Sequence, residues 1–296
     1  MTQKLVDAHF HIWRRQDLPW LNGPMVPRIF GPYEPIRRDY PIEELRADQG
    51  GSGVEKAIYV QTNWAAERYE DEVAWVDSVA RESGFPQAIV AFADLTVDDV
   101  RRQLDRLAAY KRVRGVRMQL HWHANPRYRF APSATQVVDA QVSANIGRLA
   151  EYGLSFDLQL FPGQMQDGAR LAEAHPETRF ILVHAGMLTD AAPETIAAWH
   201  AGLGALAAQP NVYVKLSGLG TFSHRNDPGQ IARIVGDTIG LFGAERLMFG
   251  SNFPIEKLWT SYSDLLGAYR EALAVRTEQE QADVFWNVAH RVYRLE

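Results

Sequence analysis

Short β-rich runs recur along the chain at Lys4–His9, Val54–Val60, Ala88–Ala93, Gly115–His121, Leu154–Leu160, Phe180–His184, Val212–Ser217 and Leu247–Gly250. Between them lie longer stretches whose apolar residues return every third or fourth position, the spacing of a helix with one buried face. These are Glu70–Arg81, Val97–Tyr110, Ala134–Tyr152, Gln166–His175, Pro193–Ala208 and Gln230–Phe242. Strands joined by helical crossovers pair in parallel, and eight of them predict a single-domain α/β fold, the (β/α)8 barrel. An open doubly wound sheet would normally carry a glycine-rich phosphate loop after its first strand, where this chain has His9-Phe10-His11.

Two segments break the alternation. Residues 13–40 place Trp13, Trp20, Phe30 and Tyr33 among Pro19, Pro24, Pro27, Pro32 and Pro35, which suits an ordered loop and a lid over the barrel mouth. The stretch His121–Ala131 (HWHANPRYRFA) mixes aromatic and cationic residues just after the fourth strand, again at the mouth.

Composition narrows the function. With 46% apolar residues over 296 positions the chain has ample core, which excludes a disordered or fibrous protein. The formal charge is −5, and the one basic cluster, Arg101 to Arg117, is too sparse for a nucleic-acid stripe. Cysteine is absent, so disulfides, thiolate metal sites and a Cys nucleophile all drop out, and any metal must take nitrogen or oxygen ligands. The start, MTQKLVDAHFHIW, lacks the apolar stretch of a signal peptide, and no window reaches the roughly 18 apolar residues of a membrane span. The expectation is a cytoplasmic protein with a small-molecule partner, no nucleic-acid or membrane partner, and an oligomeric state left open, a homo-oligomer included.

Residues two apart on a strand face the same way, so His9 and His11 project together and share one ligand inside a barrel. By the same spacing Arg117, Gln119 and His121 share a face of strand four, and Lys215 and Ser217 a face of strand seven. His184 and Asn252 close strands six and eight. Polar groups inside an apolar core are costly unless they line a cavity, and their convergence at strand ends predicts a site. Each has a structural alternative: Arg117 and Lys215 pair with Asp94 or Asp157, Ser217 caps a helix, or Asn252 only turns the chain before Pro254.

The segments VDAHFHIW, GVRMQL, FILVHAGM, VYVKLSGL, RLMFGSNFP and FWNVAHRVYRL resemble, in order, the amidohydrolase superfamily, in particular its barrel lactonase branch. That branch contains fuconolactonases, rhamnonolactonases, and 4-sulfomuconolactone and 2-pyrone-4,6-dicarboxylate lactonases. The resemblance maps the family's first-strand metal pair onto His9 and His11, its sixth-strand histidine onto His184 and its substrate-binding arginine onto Arg117. It also implies an Asp after strand eight that takes the proton of the attacking water; this chain has Gly250-Ser251-Asn252-Phe253-Pro254, and an amide is no general base. Gln159 on the fifth strand stands where two-metal members carry His or a modified Lys, so two metals are not expected. One divalent ion, zinc or manganese, on His9, His11 and His184 stays open beside metal-independent catalysis.

The reading is hydrolysis of a lactone, a sugar-acid or related carboxylated cyclic ester, by an activated water. Arg117 holds a carboxylate or the developing oxyanion, with Gln119, Lys215 and Asn252 adding hydrogen bonds, Trp13, Trp20 and Trp122 packing on a ring, and His123 among the substrate-binding residues. His121 is the favoured replacement base, His123 and Glu256 the others. The alternatives are a decarboxylase or hydratase on the same barrel, or a binding protein without turnover.

Overall fold

In the computed structural model, which describes residues 4–296, eight strands pair in parallel and in sequence order. They are β1 (Leu5–Phe10), β2 (Val54–Val60), β3 (Ala88–Ala91), β4 (Val113–Val116), β5 (Ser155–Leu158), β6 (Phe180–Leu182), β7 (Val212–Leu216) and β8 (Leu247–Phe249). The ring is completed just past the strand ends, where Asn252 N donates to His9 O at 2.6 Å and His11 N to Phe253 O at 2.7 Å. Gly250 makes this approach possible: a Cβ there would lie 2.6 Å from that of His9. Residues 1–3, which open the segment read above for a leader, lie outside the described residues.

A helix follows each strand: Ile42–Gln49, Tyr69–Ser83, Arg101–Ala108, Ala140–Arg148, Met165–Ala174, Pro193–Ala207, Pro228–Phe242 and Tyr262–Leu273. Local chemistry sets several ends. Asp227 caps the helix at Pro228 by accepting from Gln230 N, Ser261 caps the next by accepting from Asp264 N, and Gly84 ends Tyr69–Ser83 in the left-handed conformation. The helix expected over Ala134–Tyr152 is broken at Asp139, whose extended backbone and side-chain bonds to Gln141 N and Val142 N start a new helix there. The fourth strand likewise ends at Val116, earlier than expected, and residues 117–121 continue as extended loop.

The apolar residues form two layers. An outer one joins Phe10, Tyr59, Phe156 and Leu216 of the strands to Val76, Leu104, Trp199 and Leu266 of the helices. The inner one fills the barrel with Val6, Ile58, Ala88, Val90, Ile181 and Met248, and Val288, Val292 and Tyr293 of the C-terminal segment pack onto it. Because Val6 and Ala88 lie at strand beginnings, that segment plugs the N-terminal end, and the cavity opens at the other, where barrels place their chemistry. Each fully buried Val, Leu, Ile, Phe or Met side chain contributes roughly 1.5–3 kcal/mol. No helix among the described residues is long and apolar enough to cross a membrane.

Candidate active site

The β1–β2 pairing slips between Asp7 and Phe10, and this bulge decides where the polar residues of VDAHFHIW point. Asp7 turns toward the helix layer, accepting from Ser251 N at 2.8 Å and from Tyr262 Oη at 3.0 Å. His9 and His11 turn into the barrel. The His9 ring stands 4.8 Å from that of His184 and 5.1 Å from that of His11. The three histidines expected to act together are therefore neighbours.

Each is oriented by a second group. His11 Nδ1 is 2.7 Å from Val60 O, which fixes that nitrogen as the N–H donor and leaves Nε2 as the lone-pair face. His184 Nδ1 lies 2.9 Å from Ser217 Oγ. Its backbone is left-handed, φ 57°, and the next loop yields to it: a Cβ on Gly218 would stand 2.5 Å from that Nδ1. Neither nitrogen of His9 has a partner, although the residue is fully buried. Asn252, also left-handed at φ 57°, lines the same cavity with His11 and His184.

Burial keeps all of these rings neutral. It lowers His9 well below the usual imidazole range, aided by the Lys215 charge, and does the same to His184, aided by Arg117. His11 is pushed down to about 3, by burial first and then by Arg117. Neutral imidazoles with free lone pairs are metal-ligand chemistry. Among the described residues no three His, Asp or Glu side chains form a preformed cage, but neither His9 nitrogen has a partner, and the neutral ring has one lone pair that a single cation would take. A second cation finds no such donors: Gln159 offers an amide, and Asp157 is already engaged.

Beyond β4, Arg117, Gln119 and His121 line the cavity while Met118 and Leu120 between them join the outer core, as the two-residue spacing requires. Arg117 Nη2 donates to Gln61 O at 2.6 Å, and its pKa is pushed down to about 10 by burial. His121 Nδ1 is buried without a partner, and the ring is pushed down to about 3 by burial, then by Arg117 and Arg28. The cavity has a volume of about 110 Å³ and is open at the mouth. Trp20, Arg28 and Phe30 of the 13–40 loop wall one side, and Arg127, Arg129 and Phe130 line it from the 121–131 loop. The first loop is tied at its base by Trp13 N to Tyr40 O (3.0 Å) and over the site by Trp20 Nε1 to Thr62 O (2.8 Å).

Three residues expected to touch substrate lie elsewhere. Lys215 is fully buried with its ammonium 2.6 Å from Asp157 Oδ2, and Tyr293 Oη donates to the other oxygen of that carboxylate at 2.9 Å. It sits on β7 two residues before Ser217, which directly follows the strand, and so about 6–7 Å deeper in the barrel. The Asp157 pairing weighed from the sequence is thus the one formed. Trp122 does not line the cavity and lies under the Arg129 guanidinium at 4.8 Å. His123 is also outside it, its Nδ1 accepting from Asn125 N at 3.0 Å and its ring 5.0 Å from Phe161. Glu256 is fully buried next to the cavity wall, with Oε2 accepting from Trp259 Nε1 at 2.8 Å and Oε1 unpartnered. Burial pushes its pKa up to about 8.

The sequence reading passed over Gln61, Thr221 and Arg28. Gln61 directly follows β2, lines the cavity and donates from Nε2 to Gln119 Oε1 at 3.1 Å. An amide directly after the apolar run Ala57–Val60 was the available signal. Thr221 and Arg28 sit in loops whose folding no periodicity reports.

Comparison with known proteins follows the same architecture. A family model described as Amidohydrolase matches residues 6–295. The chain is 32% identical over 293 residues to "Uncharacterized protein y4mH" of Sinorhizobium fredii, covering 98% of both chains. It is 28% identical over 260 residues to an L-fucono-1,5-lactonase of Burkholderia ambifaria, covering 88% of this chain and 83% of that one. A crystal structure of an amidohydrolase from Burkholderia multivorans with bound zinc superposes with a TM-score of 0.82 at 27% identity, covering 99% of this chain and 100% of the other.

Proposed function

The chain belongs to the amidohydrolase family, and from that premise we propose that it opens a lactone, a cyclic ester of a sugar acid or related carboxylic acid, by attack of water. The observation that carries this reading is that neutral His11 and His184 line one cavity with a charged Arg117, while His9, fully buried, stands against both histidines. The lactonase relative from Burkholderia ambifaria supports the reaction class.

His9 and His11, with His184 beside them, would hold one divalent cation, whose chemistry is to acidify water and polarise a carbonyl. The remaining work belongs to the chain itself. Arg117 offers paired N–H donors to a carboxylate or to the oxygen on which charge develops, and the buried setting strengthens them. Gln61 and Gln119 hold its surroundings in place. His121, neutral and with a free ring nitrogen at the cavity wall, takes the proton as the water attacks; an imidazole pushed down to about 3 is too weak a base to take it earlier. Asn252 contributes hydrogen bonds and not proton transfer. Trp13 and Trp20 form an aromatic wall against which a ring packs.

The test is elemental analysis of protein purified without added metal or chelator, with His9→Ala alongside, followed by acid release from a panel of sugar-acid and carboxylated lactones. About one equivalent of metal, lost in His9→Ala, and acid without CO2 are expected. No acid from any lactone would overturn the reading, and CO2 from carboxylic acids would replace it with a decarboxylase.

A further inference from the structure

We propose that the mouth of the cavity is a second anion-binding subsite, formed by Arg28 of the 13–40 loop and Arg127 of the 121–131 loop, which takes an oxyanion group at the end of the ligand remote from Arg117. The inference rests on the lactone reading only for the molecule that carries the group; the subsite itself is read from charge and contacts.

The chain as a whole carries a net charge of −5, yet the residues lining this cavity include four arginines, Arg28, Arg117, Arg127 and Arg129, and no Asp or Glu. Elsewhere arginines find carboxylates, as Arg38 does with Glu44 and Arg101 with Glu151, both at 2.6 Å. Among the described residues, none of the four cavity arginines is within salt-bridge distance of one. A cation drawn out of water without a counter-charge is costly, and an anion arriving from solution removes that cost.

Arg28 shows this most directly. It is half-buried, its guanidinium lies 5.1 Å over the Trp20 ring, and its Nε is out of water with no acceptor. Arg129 is partly occupied in bracing its own loop, donating to His123 O at 2.8 Å and Ala124 O at 2.7 Å. Arg127 is exposed at the rim and its guanidinium bonds to nothing among the described residues. Two guanidiniums on two loops that face one opening form a fork for an oxyanion, whether carboxylate or phosphate-like. With Arg117 deeper in the barrel, the cavity suits a ligand charged at both ends.

Titration calorimetry of the full chain with butyrate, glutarate and 4-phosphonobutyrate tests this. Glutarate should bind about tenfold more tightly than butyrate. The Arg28→Gln/Arg127→Gln double variant should lose that advantage while binding butyrate as the wild type does, and Arg127→Gln alone, at the exposed rim, should lose part of it even if the double variant fails to fold. If 4-phosphonobutyrate exceeds glutarate and its advantage also disappears in the variants, the outer group is phosphate-like; if it binds less tightly than glutarate, the outer group is a carboxylate. Equal binding of butyrate and glutarate to the wild type, no binding of glutarate, or an advantage that survives both variants would overturn the proposal. Because no turnover is needed, a lactone panel without activity beside an intact glutarate preference removes the reaction and leaves the subsite, and the converse result does the reverse.

Discussion

Arg117 and Gln61 hold each other in place. The arginine Nη2 donates to the Gln61 carbonyl at 2.6 Å, and the Gln61 amide donates to Gln119 Oε1 at 3.1 Å, so three residues just past the ends of β2 and β4 form one hydrogen-bonded unit at the cavity wall. Lysine keeps the charge of Arg117 but lacks the planar fork that bonds to Gln61 and to ligand at once. Arg117→Lys should lower kcat/KM by roughly 100-fold, and Gln61→Leu by roughly tenfold, at unchanged far-UV dichroism. Near-normal turnover in Arg117→Lys would remove that residue from the reaction.

The Lys215–Asp157 pair predicts a stability effect. Both side chains are completely buried, and Lys215→Met leaves the Asp157 carboxylate with Tyr293 Oη as its remaining partner. Urea unfolding should show a loss of about 3–5 kcal/mol, and Lys215→Met/Asp157→Leu should recover most of it, since two apolar groups leave no unpaired charge. A single variant as stable as the wild type would show that the pair carries no such weight.

Gly218 makes room for His184. An alanine Cβ would stand 2.5 Å from the His184 Nδ1, and the backbone at Gly218 is left-handed at φ 60°, a conformation that costs an L-residue about 1–2 kcal/mol. Gly218→Ala should therefore lower both the melting temperature and turnover by displacing His184. Gly163→Ala, where an added Cβ meets nothing, serves as the control and should change neither.

Glu256 predicts a pH dependence whose sign follows from its burial. Its pKa is pushed from 4.5 up to about 8, so the unfolded chain releases this proton near pH 4.5 while the folded chain keeps it to about pH 8. Across that window the unfolded state binds fewer protons, and folding stability falls as pH rises. Glu256→Gln cannot ionise and should gain on the wild type by a few degrees in Tm at pH 8.5, with little difference at pH 4.5. The same difference at both values would mean that Glu256 does not titrate in this way.

The barrel was legible because strand and helix periods are properties of consecutive residues. His9, His11, Arg117, Gln119 and His121 were legible for the same reason, since alternate positions on extended backbone share a face whether or not the segment pairs as a strand. What the period could not report was depth. Lys215 and Ser217 share a face, yet the first meets Asp157 in a closed interior and the second meets His184 at the cavity. Depth depends on the stagger between strands and on which residue of a neighbouring strand lies alongside. Trp122 and His123 were misplaced for a related reason: past His121 the backbone turns, Phe130 N and Ala131 N both donating to His121 O, and alternation no longer applies. Arg28 lies in a loop where position depends on tertiary contacts such as Trp20 to Thr62.

Closing the ring through residues 251–253 also bears on how the molecule assembles. The bond from Ser251 N to the Asp7 carboxylate joins residues 244 positions apart, and His9 stands against Gly250 just beside it. Contacts so distant in sequence carry the entropy cost of closing a very long loop, and we expect them to be late events in folding. On that expectation, a chain with the seam still open would leave His9 and His11 on a sheet edge, wet and protonatable, without the desolvated neutral imidazoles described above. Reactivity would then be acquired with the last strand, so hydrogen-exchange protection of the His11 and Asn252 amides, which donate across the seam, should appear together.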